Sequence, residues 1–459
     1  MSRVYVRYQR ALREQNAVDF DDMIMQVVIL LKQDKDIRAY YQERCRYLLI
    51  DECQDTNLAQ YHLARLLAGG SRNICVVGDL DQAIYGWRQA DSSTMLHFEK
   101  EYPDMGTILL EENYRSTGNI LSVANAIIGK NTLRKEKILF TRKGEGEKIW
   151  VVTTENERAE AEQVARIIQA GVQSKELRFA DYAVLYRTNA QSRAIEEICI
   201  QHHIPYVVFG GLKFYERKEV KDVLAYLRYI AHPQDMISLK RIIAIPPRGI
   251  GAVSLQRFCA DGTASKPMQC FLDMIESLRV TQTKLSFSRF VTHVVEASGL
   301  KEYMHNHTSE GGKKEALSRW ENVQELISVA TRYDQMPPAE ALTHFLDDLT
   351  LTSASEETEP DNVIHLMTVH AAKGLEFSTI IVVGMEENIF PHSRSKLVSQ
   401  ELEEERRLCY VAITRAKKHL WLIYARSRRL YGTLHHNPPS RFLYDIPKHL
   451  ITFHTGDLS

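Results

Sequence analysis

The stretch Tyr47 to Asn57, "YLLIDECQDTN", is an apolar run that ends in two adjacent carboxylates, Asp51 and Glu52, with Asp55 just beyond. A carboxylate at the C-terminal end of a buried strand is placed to hold a magnesium ion, and its neighbour to orient or deprotonate a water, as phosphoryl transfer requires. An acidic pair that merely caps the next helix would read the same way if it stood alone. It does not: "VVGDLDQAIYGWRQAD" is a second apolar run ending in Gly-Asp, followed by Gln82, Tyr85, Trp87 and Arg88. A Gln there can sense a terminal phosphate, and aromatics interleaved with Arg make a platform for stacking unpaired bases. Taken singly, Tyr85 or Trp87 is more ordinarily a packing residue. Arg115, beside Tyr114 in "LEENYRSTGNI", falls at the entrance to a helix, and Arg415 in "YVAITRAKK" falls in a helix near the chain end. A guanidinium brought to a nucleotide from a second domain neutralises charge on the transferred phosphate, because its planar donor fork stays charged. An arbitrary Arg makes a surface salt bridge instead.

Elements that could position these groups are legible around them. Up to about Glu112, helices at "FDDMIMQVVILLK" and "AQYHLARLLAGG" alternate with strands at "RYLLI", "NICVVGD" and "TILL". Short apolar strands separated by amphipathic helices predict a parallel, doubly wound sheet. A second such series has strands at "IWVVTT", "YAVLYRT" and "IPYVVFGG", then resumes at "NVIHLMTVH", "STIIVVGM" and "LWLIYA". Between them, roughly Tyr215 to Pro360, the patterns are long and helical, with turn clusters at "IPPRGIGA" and "SASEETEPD". The expected organisation is an α/β fold. A first α/β domain spans 1–112, a second is split between 113–214 and 361–459, and a helical domain is inserted at 215–360.

Composition narrows the class. The chain has 459 residues, 58 Lys and Arg against 59 Asp and Glu, and a sequence pI near 7.0, so any nucleic-acid groove must be local rather than global. Seven cysteines, scattered and never in a C-x-x-C pair, argue against a zinc site and a disulfide framework. A reducing cytoplasmic setting fits, and no apolar run is long enough to cross a membrane. The N-terminal "MSRVYVRYQRALREQ" reads as an amphipathic basic helix without a signal-peptide core.

Together the motifs resemble the UvrD/Rep/PcrA-like branch of superfamily 1 DNA helicases. The resemblance is collinear over nearly the whole chain: "LLIDECQDTN", "VVGDLDQAIYGWRQA", "LEENYRST", "GGLKFYERKEVKD", "MTVHAAKGLEF", "GMEENIFPH" and "EEERRLCYVAITRA". It implies that both α/β domains are RecA-like, the first of them incomplete and carrying the tail of a small helical insertion at 1–16, and that ATP and Mg2+ are the cofactors. Asp51 would hold the metal, Glu52 act as base, Gln82 sense the γ-phosphate, Arg115 and Arg415 serve as fingers, Tyr114 stack on adenine and Glu376 contact the nucleotide sugar. It likewise implies contacts to single-stranded DNA by Phe20, Tyr85, Trp87, Arg88 and His370. Arg248, Gly249 and Gly251 in "PPRGIGA" would meet duplex DNA at strand junctions, where a Gly-Ile-Gly turn before a helix frees backbone N–H groups for a phosphate; a plain helix-joining turn accounts for that loop nearly as well. Cys53, Gly86, Gln89 and Ala412 depart from the family pattern.

The phosphate-cradling motif G-x-x-x-x-G-K-[ST] does not occur in these 459 residues; "GGLKF", "KGEGEK" and "EGGKKE" each lack the spacing or the hydroxyl residue after Lys. In the family that motif precedes the first matched residue, so the resemblance implies an N-terminally truncated chain lacking Walker A. Without the backbone nest and its Lys, the other groups have no placed phosphate to act on. Three expectations follow: a 3′ to 5′ helicase motor whose loop half is lost from the open reading frame or supplied by a separate polypeptide, a non-hydrolytic single-strand-binding remnant or regulator, or a partly folded relic.

Overall fold

The computed structural model describes residues 2–86, 93–132, 134, 137–210, 213–306, 313–353, 361–396, 398–430 and 433–455. The chain divides into two compact units, the first formed by Met1–Asn113, Ala124–Phe140 and Leu397–Val411, the second by Tyr114–Val123, Thr141–Lys396 and Ala412–Ser459.

In the first unit, two short strands, β1 (Leu48–Ile50) and β2 (Ile74–Val76), pair in parallel with Leu49 opposite Cys75. Helices Phe20–Gln33, Lys35–Arg44 and Leu58–Ala68 accompany them. Local caps set these helices: Asp19 accepts from Asp22 N–H, Asp34 from the amides of Asp36 and Ile37, and Asn57 with Gln60 forms a reciprocal capping box. Residues 107–110, expected as a strand, form none. Ile108 and Leu110 are 85% and 78% exposed, and the nearest ladder contact is a lone bridge from Glu112 to Phe140. The apolar run alone misled here, because β structure needs a partner ladder and the described residues offer these four none.

The second unit is built on a seven-stranded, wholly parallel sheet. Its strands are β3 (Ile149–Thr154), β4 (Tyr182–Tyr186), β5 (Tyr206–Val208), β6 (Ile364–Thr368), β7 (Phe377–Val382), β8 (Ala416–Ala425) and β11 (Ile451–Thr455), in the order β11-β3-β8-β7-β4-β6-β5. A small antiparallel hairpin, β9 (Arg428–Leu430) with β10 (Thr433–His435), follows β8. All five residues of β4 are buried, as a strand in a sheet covered on both faces requires. Helices Glu157–Gln173 and Ser192–Gln201 bury Val164, Ile168, Ile195 and Ile198 against Val184 and Ile381.

Between β5 and β6 the chain makes a run of helices from Lys218–Ala231 to Pro338–Ser353, packed around Tyr226, Phe271, Phe290 and Phe345. Buried charges join this run to the sheet layer. Arg193 bonds Glu197 at 3.0 Å and Glu325 at 3.2 Å, Arg217 donates to the side-chain Oδ1 of Asn322 at 2.7 Å, and Asn322 Nδ2 donates to Glu219 at 2.5 Å. At the C-terminal ends of the strands, Arg428 bridges Glu160 at 2.7 Å and Glu386 at 2.6 Å, all three buried. Gly384 N–H donates to Glu160 and Ala425 N–H to Glu386. Gly384 has φ +68°, and the Gln191 amide lies where a Cβ would project, so only glycine fits.

Candidate nucleotide and DNA site

In the first unit the sequence places Asp51 and Glu52 directly after β1, both exposed. Asp51 Oδ1 accepts the Glu52 amide at 2.8 Å, and Glu52 adopts φ 50°, ψ 39°. A non-glycine residue held in that left-handed region costs on the order of 1 kcal/mol and persists where surrounding contacts fix it. One such contact is Gln54, itself buried, which donates to Glu52 at 2.5 Å while its carbonyl accepts Asp79 N–H at 2.9 Å. Asp79 in turn accepts from Gln82 at 2.8 Å. Glu52 and Gln82, thirty residues apart in sequence, are therefore joined through Gln54 and Asp79, which bridge the turns after β1 and β2.

Sequence reasoning missed Gln54 and Asp79 as parts of this site, and also the cations that hold it. Lys137 pairs with Asp79, while Arg134 meets the buried Asp81 at 2.8 Å. The alternating acids of "GDLDQ" were a signal that counter-charges were needed, but nothing local says that they come from 134–137. Cys53 packs as a buried thiol whose ionisation is pushed up by burial.

In the second unit Arg115, Glu376 and Arg415 gather where β7 and β8 begin. Arg115 Nε meets Glu376 Oε2 at 2.6 Å and its Nη1 donates to the Thr414 carbonyl at 3.2 Å. Lys417 reaches the other Glu376 oxygen at 2.9 Å. The hydrogen bonds from Lys417 and Arg115 hold the Glu376 carboxyl down at about 2. Arg415 was expected within a helix; that helix, Ser399–Ile413, instead ends two residues earlier. The reason is that the Arg415 carbonyl already accepts Phe377 N–H, committing the chain to β8. Its buried guanidinium donates to the Leu375 carbonyl at 3.3 Å and to Thr414 Oγ1 at 3.2 Å. Tyr114 is largely exposed beside this cluster's Arg115.

The DNA-directed residues are more dispersed. Phe20, the first residue of its helix, is 88% exposed, and Tyr85 is half-buried. Trp87 and Arg88 lie outside the described residues. His370 is half-buried in the turn after β6, and the segment 369–376 carries the chain from there to Glu376 at the start of β7. Arg248 turns inward: it donates to the carbonyls of Ile242, Pro246 and Ser298 and to Tyr226 OH, at 2.6 to 3.0 Å. What the loop offers outward is backbone, with Gly249 at φ +72° and Gly251 capping helix Ala252–Asp261, both with open space at the Cβ position.

Among the described residues no cluster of three or more His, Cys, Asp or Glu side chains is placed to hold a metal ion, and no helix is long and apolar enough to cross a membrane. Magnesium does not need such a cluster, because it keeps waters and takes one or two protein carboxylates beside substrate phosphates. The hard, exposed Asp51 carboxylate fits that requirement.

A large parallel sheet with helices on its faces gives this α/β chain the architecture of a RecA-like helicase. Comparison with known families agrees: residues 108–427 match the UvrD-like helicase C-terminal domain and residues 1–103 the UvrD/REP helicase N-terminal domain, and the chain belongs to the UvrD-like helicase family. It is similar to the ATP-dependent DNA helicase PcrA of Staphylococcus aureus (strain Mu50), with 44% identity over 478 aligned residues that cover 99% of this chain and 65% of the relative. The PcrA of Staphylococcus epidermidis (strain ATCC 35984) is similar with the same identity and coverage. The chain thus spans 65% of the length of these relatives.

Proposed function

We propose that these 459 residues carry the acid, sensor and arginine groups of an ATP-dependent 3′ to 5′ DNA helicase, but do not hydrolyse ATP by themselves. The observation that carries this reading is the hydrogen-bonded chain Glu52–Gln54–Asp79–Gln82, which fixes a water-activating carboxylate and a phosphate sensor in one network. Asp51 would hold Mg2+, which would neutralise phosphate charge when bound; Glu52 orients and deprotonates the attacking water. Arg115 and Arg415 stabilise charge on the transferred phosphate, Tyr114 stacks on adenine and Glu376 contacts the sugar. Phe20, Tyr85, Trp87, Arg88 and His370 engage single-stranded DNA, and the backbone of Gly249 and Gly251, with Arg248 bracing the loop from inside, meets duplex phosphates at a junction. The boundary near residue 112 separates the two RecA-like domains, and those near 214 and 360 set off the helical insertion within the second.

The 459 residues contain no phosphate-loop motif, so turnover is assigned to these residues only when a phosphate loop is supplied to them. The test combines the chain with a fragment bearing a Lys-containing phosphate loop and follows unwinding of duplexes with a 3′ or a 5′ single-stranded tail. ATP-dependent unwinding of the 3′-tailed duplex, lost in Asp51→Ala, is the expected result. Unwinding of only the 5′-tailed duplex contradicts the polarity, and none despite association of the fragment contradicts the motor assignment. The exposed Phe20 favours a second reading, a non-hydrolytic single-strand-binding protein or regulator, for which binding without nucleotide in the absence of any turnover is the signature.

A further inference from the structure

Helix Ser2–Glu14 carries four arginines, at 3, 7, 10 and 13, and Glu14 is the only acidic residue among the first eighteen. All four arginines are exposed. At 100° per residue they fall within one stripe about 120° wide, running about 15 Å along the axis at 1.5 Å per residue. Arg3 and Arg7 are spaced i,i+4, and Arg7–Arg10 and Arg10–Arg13 are spaced i,i+3, so three neighbouring pairs of like charge oppose the helix that displays them. Arg10 alone is compensated, by Glu14 at 2.8 Å. A solvated helix face with no other task gains from alternating signs; this one has the reverse. Whole-chain composition hides it, since the net charge is −1.

We propose that this stripe is a docking surface for a nucleic-acid backbone, separate from the residues assigned above to stacking and to the helical-block loop. Exposed arginines in register along one helix face suit a regular line of phosphates, whose binding releases condensed counterions. The surface reads charge and not sequence, because no aromatic or amide side chain falls within the stripe: at about 100° per residue Tyr5, Tyr8 and Gln9 lie outside it. The choice of nucleic acid over another polyanion rests on the DNA-binding part of the proposed function.

The experiment measures binding of the full chain to fluorescent duplex and single-stranded oligonucleotides between 50 and 200 mM salt, for wild type and for Arg3→Gln/Arg7→Gln/Arg13→Gln. Gln removes the like-charge pairs, so the helix persists, which circular dichroism checks. Over that salt range wild type should lose affinity more steeply than the variant, by a factor of about 40 if the stripe holds duplex and about 20 if it holds a single strand, from slopes of about 0.9 and 0.7 per contact. Replacing the same arginines with Lys should keep the wild-type slope. Equal slopes for wild type and the Gln variant, with binding retained, overturn this proposal alone. A wild-type chain that binds no DNA overturns it together with the proposed function, and a variant defect seen only with vesicles containing phosphatidylserine replaces nucleic acid by a membrane surface.

Discussion

The two parallel sheets of this protein treat equivalent positions in opposite ways. Leu49, at the centre of β1, is 77% exposed, whereas Leu185 in β4 is wholly buried. In the same unit as Leu49, the helix Phe20–Gln33 buries Val28 and Leu31 yet exposes Phe20, Met23, Val27 and Leu30. The second unit covers the faces of its seven-stranded sheet with helices and so holds charges inside. The lesson is that apolar sequence marks where burial is possible, while what packs on the face of the sheet decides whether burial occurs. Chemistry follows the same division: the first unit presents Asp51 and Glu52 on an open turn, and the second holds Arg415 buried against its own backbone.

The sharpest way to break that contrast is to remove the cation from the deepest charge cluster. Arg428→Met leaves Glu160 and Glu386 facing each other in the interior, and should cost about 3–5 kcal/mol by denaturant unfolding of the second unit. A loss under about 1 kcal/mol would show that solvent reaches the cluster. Paired strand substitutions test the comparison itself: Leu185→Ala should cost about 2–5 kcal/mol, and Leu49→Ala less than about 0.5 kcal/mol. Similar costs at both sites would mean that the face of β1 is covered in solution.

Two pH dependences refine it further. Burial, with the nearby Glu386 and against the pull of Arg428, raises the Glu160 carboxyl to about 7 from its ordinary 4.5. The folded state then holds a proton that the unfolded state releases, so this contribution is complete below pH about 4.5 and lost as pH rises towards about 7. Glu160→Gln should flatten that part of the stability profile of the second unit. Glu376 acts in the opposite sense and more weakly, because it is partly exposed. Its carboxyl is held down at about 2, so its contribution is present above pH about 4.5 and disappears as pH falls towards about 2. Carboxyl NMR titration of Lys417→Met should move the Glu376 midpoint upward; an unmoved midpoint would remove Lys417 from the cluster.

Much of this arrangement was legible in the sequence. The apolar runs ending in Asp51 and in Asp79 and the runs of the central strands of the large sheet announced themselves, because each is short, continuous and followed by chemistry or a turn. "TILL" had the same look and failed for want of a partner, while β11, "ITFHT", lacked that look and formed because β3 was there to receive it. Long-range pairings were beyond reach: Arg428 meets Glu160 across 268 positions and Arg115 meets Glu376 across 261. The inward turn of Arg248 was equally invisible, since its acceptors are backbone carbonyls, which every residue has.

The most direct measurement is steady-state ATP hydrolysis by the purified chain, with and without single-stranded DNA, beside an Asp51→Ala control. The account predicts no DNA-stimulated turnover above the control, because these 459 residues contain no Gly-Lys phosphate-loop motif. Robust DNA-stimulated hydrolysis that Asp51→Ala abolishes would contradict it, and would show that these 459 residues hold the triphosphate by a route other than the Gly-Lys loop.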